Sequence, residues 1–508
     1  MARSDWKPGV AAGLAGLALG AAVACSSSGG DGAAPEATPS PDVQPSPPGA
    51  APIAVGIHHR DFWDQQARLD QLGARAIRLN LRWVDDPESP AWVEYDAVIA
   101  ANRGKAILVT VGTNNGALES ETTPKIPETE ADIAKLVDFA AELARRYGDA
   151  VRYWQLGNEV LVPDNWPCPV GQEDDPVACR LADYARLLAA FGEAIQEEDP
   201  DAVIVAAGFG GSSFADPLDS GTIEDRPRRL YDELSAHAAG ILGGIDVHNH
   251  HEWNAGFGVG DEILAHRDLW PTRYPSLGAL EVVVTENSTW TDDPAGDFFG
   301  PQSEGQQAAY LVESIYAALG AGSPFCVFGV LQDGLFGSPP LGECASDEDC
   351  LPGFGCAGRT CRESLTRFNL NGLYYDPTKV YSDGTGRSGP KVAARTLRLV
   401  AWLLEGALVG DVVRDRTAAA GLWRFDVSAP RPHAVLWWAG LEERVTVMTA
   451  APEGAARVAV LTPDGNSSEE WPVDDPLEGF PRAEIEAEAG QVTVDLDRNR
   501  PLLLLPLS

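Results

Sequence analysis

Basic residues are scarce in this sequence. Lys and Arg number 38 against 75 Asp and Glu in 508 residues, which gives a formal net charge of −37 at neutral pH. A surface of this sign repels phosphate backbones, so the composition argues against nucleic acid as a partner. The acidic residues are spread along the chain, and we interpret most of them as a solvated surface.

The sequence also begins without a long hydrophobic run. Residues 1–25, MARSDWKPGVAAGLAGLALGAAVAC, combine a basic start, a short Gly- and Ala-rich apolar stretch and small residues before Cys25. Such a stretch is too short for a transmembrane helix and is typical of an export signal. Its end resembles a bacterial lipoprotein signal, with Ala22 where that family usually has Leu. The resemblance implies that Cys25 is lipidated; the alternative is an ordinary signal peptide with an unrelated cysteine.

Large apolar side chains are almost absent from residues 26–51, which are rich in Ser, Pro, Gly and Ala. A segment of this composition cannot bury enough surface to fold and is expected to be a tether. We therefore expect an exported protein, held at the outer membrane or found at the cell surface or outside the cell. Its membrane contact would be the lipid anchor alone, and we expect it to be a monomer.

Cysteine is infrequent, and the eight cysteines form none of the CxxC pairs that are common in structural zinc sites. Cys326 lies inside the apolar run PFCVFGV and is expected to be a buried free thiol. In an oxidising compartment we predict disulfides for the remaining six cysteines. These are Cys168 with Cys179 in one loop, and Cys344, Cys350, Cys356 and Cys361 in an insert at 341–364, whose three alternative pairings stay open.

Short β-branched runs alternate with longer amphipathic segments from residue 52 to residue 407. Because the short runs are apolar almost throughout, they predict a parallel sheet buried on both faces, and eight such units are the number that closes as a (β/α)8 TIM barrel. No Gly-rich phosphate-binding fingerprint follows the first run, which argues against a doubly wound open sheet. The predicted strands are 52–59, 76–83, 105–113, 151–159, 202–209, 244–251, 280–287 and 324–331, with helices at 131–149, 304–322 and 390–406.

The pattern changes in residues 408–508. Short, often alternating apolar runs follow one another with turn residues between them and without helical segments. This predicts a C-terminal antiparallel β-sandwich domain beside a catalytic barrel.

Two glutamates end apolar strands of the predicted barrel. Glu159 ends the fourth strand and Glu286 ends the seventh, and the C-terminal ends of barrel strands form the active-site mouth. Retaining glycoside hydrolysis needs two such carboxyl groups, one protonated to assist the leaving oxygen and one ionised to attack the anomeric carbon. The alternative is a pair of structural carboxylates in ion pairs at the barrel mouth.

The sequences LGNEV around Glu159 and VVTEN around Glu286 resemble the paired motifs of clan A glycoside hydrolases, the group of many cellulases, mannanases and β-glycosidases. The resemblance implies that Glu159 is the acid/base, that Asn158 contacts a sugar 2-hydroxyl, and that Glu286 is the nucleophile. In the second strand, RLNLRW is similar to the family-five motif whose Arg bonds the nucleophile, which points to Arg78. The implied substrate is a β-linked poly- or oligosaccharide, and no cofactor or metal is implied.

Two features depart from this resemblance. The sixth strand has His248-Asn249-His250 where many relatives have His-x-Tyr, and the eighth strand lacks the Trp that often lies beneath the sugar ring. Further candidate substrate-binding residues near the strand ends are Asn114, Trp166, His248, His250, Trp253 and Trp290.

Two other functions fit parts of the sequence. One is a catalytically silent barrel that binds surface glycans, which the altered sixth and eighth strands allow. The other is a metal-dependent hydrolase in which His248 and His250, with Asp246 and His58, gather around zinc. Metal-dependent barrels of the amidohydrolase type carry His-x-His on the first strand and not on the sixth, so we favour the glycosidase.

Overall fold

A computed structural model describes the chain in segments between residues 54 and 507. The described residues are 54–59, 65–83, 89–115, 126–127, 129–160, 176–210, 247–253, 260, 263–264, 281–291, 302–333, 341–346, 349–350, 354–357, 359–363, 370–381, 385, 387–415, 421–463 and 475–507. The predicted signal with Cys25, the linker, the Cys168–Cys179 pairing and Trp166 lie outside these residues. Within them, no helix combines the length and the apolar character needed to cross a membrane.

A curled parallel sheet forms the larger part of the fold. Its strand order is β5-β4-β3-β2-β1-β9-β8-β7-β6, all neighbours are parallel, and Val205 of β5 also pairs with Val247 of β7. Each of the eight strands predicted from the sequence is present, and a two-residue strand is added at the end of the fifth. The strands are β1 (Ala54–His59), β2 (Ala76–Trp83), β3 (Ala106–Asn115), β4 (Tyr153–Leu156), β5 (Val203–Val205), β6 (Phe209–Gly210), β7 (Val247–Trp253), β8 (Glu281–Ser288) and β9 (Phe325–Val330).

Helices lie between these strands, as the alternating pattern predicts. The α3 stripe of Ile133, Leu136, Phe139 and Leu143 is buried, and a capping box between Ser303 and Gln306 fixes the start of α5. The helices are α1 (Gln66–Gln71), α2 (Ala91–Ala101), α3 (Glu130–Tyr147), α4 (Pro176–Glu198), α5 (Glu304–Gly320) and α6 (Val392–Leu403).

Both faces of the parallel sheet are buried, which explains why its strands are apolar throughout. One face packs against the helices in the main core, through residues such as Ile77, Val109 and Trp154. The other face forms a separate cluster with members from seven strands, which requires the sheet to curl around it. That cluster is Ala54, Ala76, Leu108, Tyr153, Val205, Val283, Phe325 and Val327.

An antiparallel sheet follows α6, in the order β13-β14-β15-β20-β17-β18, with a two-stranded ribbon of β16 and β19. Leu436 and Leu504 of the sheet share a core with Val494 of the ribbon, so the two layers pack face to face. The strands are β13 (Val412–Arg414), β14 (Leu422–Val427), β15 (His433–Trp438), β16 (Arg444–Ala450), β17 (Arg457–Leu461), β18 (Arg482–Glu486), β19 (Gln491–Asp497) and β20 (Leu502–Leu507).

The cysteine-rich insert is a small three-stranded antiparallel sheet, in which β12 (Thr360–Glu363) lies between β10 (Leu341–Glu343) and β11 (Phe354–Ala357). Of the three pairings that the sequence leaves open, the structure has Cys344–Cys356 and Cys350–Cys361. Cys326 is a buried free thiol, as expected, and burial raises its pKa to about 12, so it stays protonated and inert.

His433, the first residue of β15, joins the antiparallel sheet to helix α5. Its Nδ1 lies 2.7 Å from the Arg431 carbonyl oxygen, which can only accept, so Nδ1 carries the proton and Nε2 accepts from the Tyr316 hydroxyl at 2.6 Å. His433 is 1% exposed, and this burial lowers its pKa from 6.5 to about 4. The imidazole is therefore neutral in the folded protein at neutral pH.

The depressed pKa of His433 predicts a loss of stability in acid. Because the unfolded chain takes up a proton near pH 6.5 and the folded chain only near pH 4, this residue's contribution is complete above pH 6.5 and is lost as the pH falls to 4. Between these pH values, wild type should lose about 2–4 kcal/mol more unfolding free energy than His433→Asn, which cannot titrate. Urea unfolding of both proteins across this range measures the difference, and equal pH slopes would contradict it.

Candidate active site

The LGNEV segment leaves the sheet directly after β4. Gly157 donates its N–H to the Val111 carbonyl at 2.8 Å and then turns with φ of +70°, a conformation that glycine adopts without a side-chain clash. Glu159 also has a positive φ, +45°, which is uncommon for a residue with a Cβ. The two turns place Asn158 and Glu159, both half-buried, beyond the C-terminal end of the strand.

Glu286 lies within β8, where the strand is irregular. On one side the pairing passes from His250–Val284 to His251–Glu286, and on the other from Val284–Cys326 to Asn287–Phe328. On both sides β8 has one residue more than its neighbour, which is a β-bulge. Bulges re-aim side chains and occur next to active sites. The Glu286 carboxyl group is almost buried, with the residue 8% exposed.

Arg78 of β2 connects the two motifs. One guanidinium nitrogen, Nη1, donates to Glu286 Oε1 at 2.5 Å, and the other, Nη2, donates to Asn158 Oδ1 at 2.6 Å. Its Nε donates to Thr110 Oγ1 at 2.9 Å, which holds the plane of the group. The hydrogen bond from Arg78 to Glu286 that the sequence resemblance implied is therefore present, and the same cation also contacts the fourth-strand motif.

Burial strengthens this arrangement, because Arg78 is fully buried and Glu286 nearly so. An ion pair that is shielded from water has a strong mutual attraction, and each charge depends on the other because neither is well solvated. The short bond to a guanidinium favours the ionised form of a carboxylate. Arg78 has donors only, so the Asn158 atom that faces it is the carbonyl oxygen. The Asn158 Nδ2 donors therefore point away from Arg78.

The remaining candidate residues fall into three groups. For the first group the structure describes the backbone alone, so the predicted side-chain contacts stay predictions. It consists of Asn114, at the end of β3, and of His248, His250 and Trp253 in β7, which pairs with β8. Trp166 is outside the described residues. Trp290 is 4% exposed and packs with Leu370, Tyr375 and Tyr381, so its ring contributes to packing and not to an open platform.

Two contacts of this region do not follow from the sequence motifs. Thr110, which holds Arg78, lies in the middle of an apolar strand, and its polarity among apolar neighbours was the signal. Lys391 forms a fully buried ion pair with Asp333 at 2.8 Å beyond β9. The local sequence does not indicate a role for Lys391, because its partners are distant in the chain. Thr291 is 100 residues away, Asp333 is 58 away and Leu370 is 21 away.

The buried ion pair predicts a strong stability coupling between Arg78 and Glu286. Arg78→Met should lower the free energy of unfolding by about 3–5 kcal/mol, because it leaves a carboxylate buried without its cation. Adding Glu286→Gln should recover part of this loss, by about 0.5–3 kcal/mol. Urea unfolding of the single and double variants measures the coupling.

The exposed pair of Arg103 and Asp149 provides the control. Arg103→Met should leave the free energy of unfolding close to that of wild type, since exposed ion pairs contribute little. The coupling would be contradicted if the loss of unfolding free energy in the Arg78→Met/Glu286→Gln double variant equalled the sum of the losses in the two single variants.

No family model matches this chain, and no curated protein matches its sequence. Solved structures do match it. A GH30 endoxylanase from Clostridium papyrosolvens is 12% identical with a TM-score of 0.51, over 91% of this chain and 98% of that chain. A bifunctional glucanase-xylanase from a metagenome library is 11% identical with a TM-score of 0.51, over 90% and 97%.

An alpha-L-arabinofuranosidase from Thermotoga maritima is 10% identical with a TM-score of 0.51, over 90% of this chain and 96% of that chain. At such identities the likeness is one of fold. It spans nine-tenths of the chain, so it includes the parallel sheet and at least part of the C-terminal antiparallel sheet. The chain thus shares the TIM-like α/β fold of these glycoside hydrolases.

Proposed function

We propose that this protein is a glycosidase that cleaves O-glycosidic bonds of a β-linked poly- or oligosaccharide with retention of configuration. The observation that carries the proposal is the contact of one buried cation, Arg78, with Glu286 and with Asn158, the neighbour of Glu159. Two motifs separated by more than 120 residues thereby meet at the C-terminal ends of two strands of a TIM-like sheet, where catalytic residues of barrel enzymes lie.

The proposed mechanism is a double displacement. Glu286 attacks the anomeric carbon while Glu159 protonates the leaving oxygen, and a covalent glycosyl-enzyme forms. Glu159 then removes a proton from water, which attacks the same carbon and releases the sugar. Arg78 supports the first step by holding Glu286 as an oriented anion, and Asn158 directs its Nδ2 donors to the sugar 2-hydroxyl.

The proposal includes two features of the fold, the closure of the barrel and the C-terminal sandwich. We infer that the parallel sheet closes as a (β/α)8 barrel, supported by the pairing of Val205 in β5 with Val247 in β7. The shared core of the C-terminal sheet and its ribbon supports a β-sandwich.

The solved structures of similar fold guide the choice of substrates. They are an endoxylanase, a bifunctional glucanase-xylanase and an alpha-L-arabinofuranosidase. A panel of aryl β-glycosides, xylan and β-glucan, with an arabinoside for comparison, tests the proposed activity directly.

Substitutions of the two glutamates should lower activity in different ways. Glu286→Gly should be inactive, because no covalent intermediate forms; azide can occupy the vacated space and yield the glycosyl azide of inverted configuration. Glu159→Ala should lose about 10²–10⁴-fold on poor leaving groups, and azide should yield the product of retained configuration. Product analysis by NMR distinguishes the two variants.

Glu281 provides the matched control, since it lies at the opposite end of the same strand β8. Glu281→Gln should keep wild-type activity. Activity that survives Glu286→Gly and disappears with a chelator would contradict the proposal in favour of a metal-dependent hydrolase. Glycan binding by the intact protein without turnover would contradict it in favour of a silent barrel.

A further inference from the structure

The segment 370–374 extends the sheet beyond the ends of β8 and β9. Leu373 and Tyr374 donate their N–H groups to the carbonyls of Val330 and Leu331, each at 3.0 Å. Thr291, just after β8, donates its N–H to the Leu370 carbonyl at 3.1 Å. The segment therefore contacts both the strand that carries Glu286 and its neighbour.

Lys391, the residue before helix α6, ties these pieces together. Its ammonium group donates to Asp333 Oδ1 at 2.8 Å, to Thr291 Oγ1 at 2.9 Å and to the Leu370 carbonyl at 3.0 Å. These three bonds use all three ammonium protons, and the side chain is fully buried. One cation thus links the ends of two strands and the segment that covers them.

Asp333 is held equally firmly. Its Oδ1 also accepts from the Gly372 N–H at 2.8 Å, and its Oδ2 accepts from the Tyr381 hydroxyl at 3.1 Å. Burial raises the Asp333 pKa to about 6 although Lys391 opposes the shift, so the Asp333 carboxyl group is largely ionised at neutral pH. A Cβ on Gly372 would lie 2.1 Å from the Asp333 nitrogen, so the backbone of this segment can approach only as glycine.

A contribution to stability does not by itself explain why a buried Lys391–Asp333 pair is present. Apolar residues of similar volume often replace a buried ion pair without loss of stability, and in some proteins a buried polar or charged group instead fixes the relative position of the elements that it joins. The element fixed here is the end of β8. Arg78 bonds it at Glu286, and Lys391 bonds the chain at Thr291, five residues later.

We propose that Lys391 and Asp333 are positioning residues that hold the end of β8 so that the Glu286 carboxylate stays aligned for attack. This inference rests on the proposed glycosidase function. A displacement of about 1 Å at a reacting group can cost up to about 10²-fold in rate, so even a modest relaxation of this strand end is expected to be measurable.

The test uses two aryl glycosides of the sugar that the full-length wild-type protein hydrolyses best. A dinitrophenyl group leaves without a proton, so the burst of dinitrophenolate release reports attack by Glu286 alone. A phenyl group needs the proton from Glu159 as well. Lys391→Met and Asp333→Asn should lower the rates for both leaving groups equally, by about 10–100-fold, with KM within about threefold of wild type.

Two further variants separate positioning from folding. Thr291→Val conserves shape, removes one acceptor of Lys391, and should lower both rates about threefold or more even if Lys391→Met does not fold. Arg424→Met, in the C-terminal sheet, removes a buried cation that contacts Asp426 and the Ala450 carbonyl. It should lower the unfolding temperature and leave kcat unchanged.

The inference is overturned if folded Lys391→Met and Thr291→Val keep the wild-type burst rate and the wild-type rate on the phenyl glycoside while their unfolding temperatures fall, since the pair would then be purely structural. A loss for the phenyl glycoside alone also overturns it, because that result places the effect on Glu159. A wild-type protein that shows no turnover of any glycoside refutes the proposed function instead, so the two failures are distinguishable.

Discussion

The site depends on a single buried cation. Arg78 is fully buried in β2, and its guanidinium is the one group that touches both Glu286 and the residue beside Glu159 among the contacts described. The planar guanidinium holds its donors in fixed directions, so its two nitrogens bond two partners in a set geometry, whereas the donors of a lysine rotate about a single charged centre. The hydrogen bond to Thr110 and the apolar strand around Arg78 hold the guanidinium in place. Burying this cation has a desolvation cost, and its contacts with Glu286 and Asn158 offset that cost.

The arrangement extends from this cation in two directions. Toward β4, Gly157 and Glu159 adopt left-handed backbone conformations, which release the acid from the sheet. Toward β8, a bulge lies beside Glu286, which contacts Arg78, and Thr291, three residues after the end of that strand, accepts a hydrogen bond from Lys391. Backbone irregularities thus occur at the two positions where a carboxylate must leave a regular strand, as expected where function competes with regular structure.

Much of the fold follows from the sequence, because strands buried on both faces are continuous apolar runs; β2 at Ala76–Trp83 coincides with its prediction. The Arg78 contact could be anticipated only from a motif resemblance, since no local pattern says that residues 78 and 286 meet. The disulfide pairing could not be predicted because the sequence allows three pairings of four cysteines, and the Lys391–Asp333 pair could not because its residues are 58 positions apart. The contributions of His248 and His250 stay predictions.

The separation of the two carboxyl groups in an experimental crystal structure tests the central claim most directly. If Arg78 assembles a retaining site, the carboxyl oxygens of Glu159 and Glu286 should lie about 5–5.5 Å apart, with Arg78 between Glu286 and Asn158. A separation of about 6.5–9.5 Å would leave room for a water molecule and indicate inversion, and side chains that point away from each other would contradict the shared site altogether.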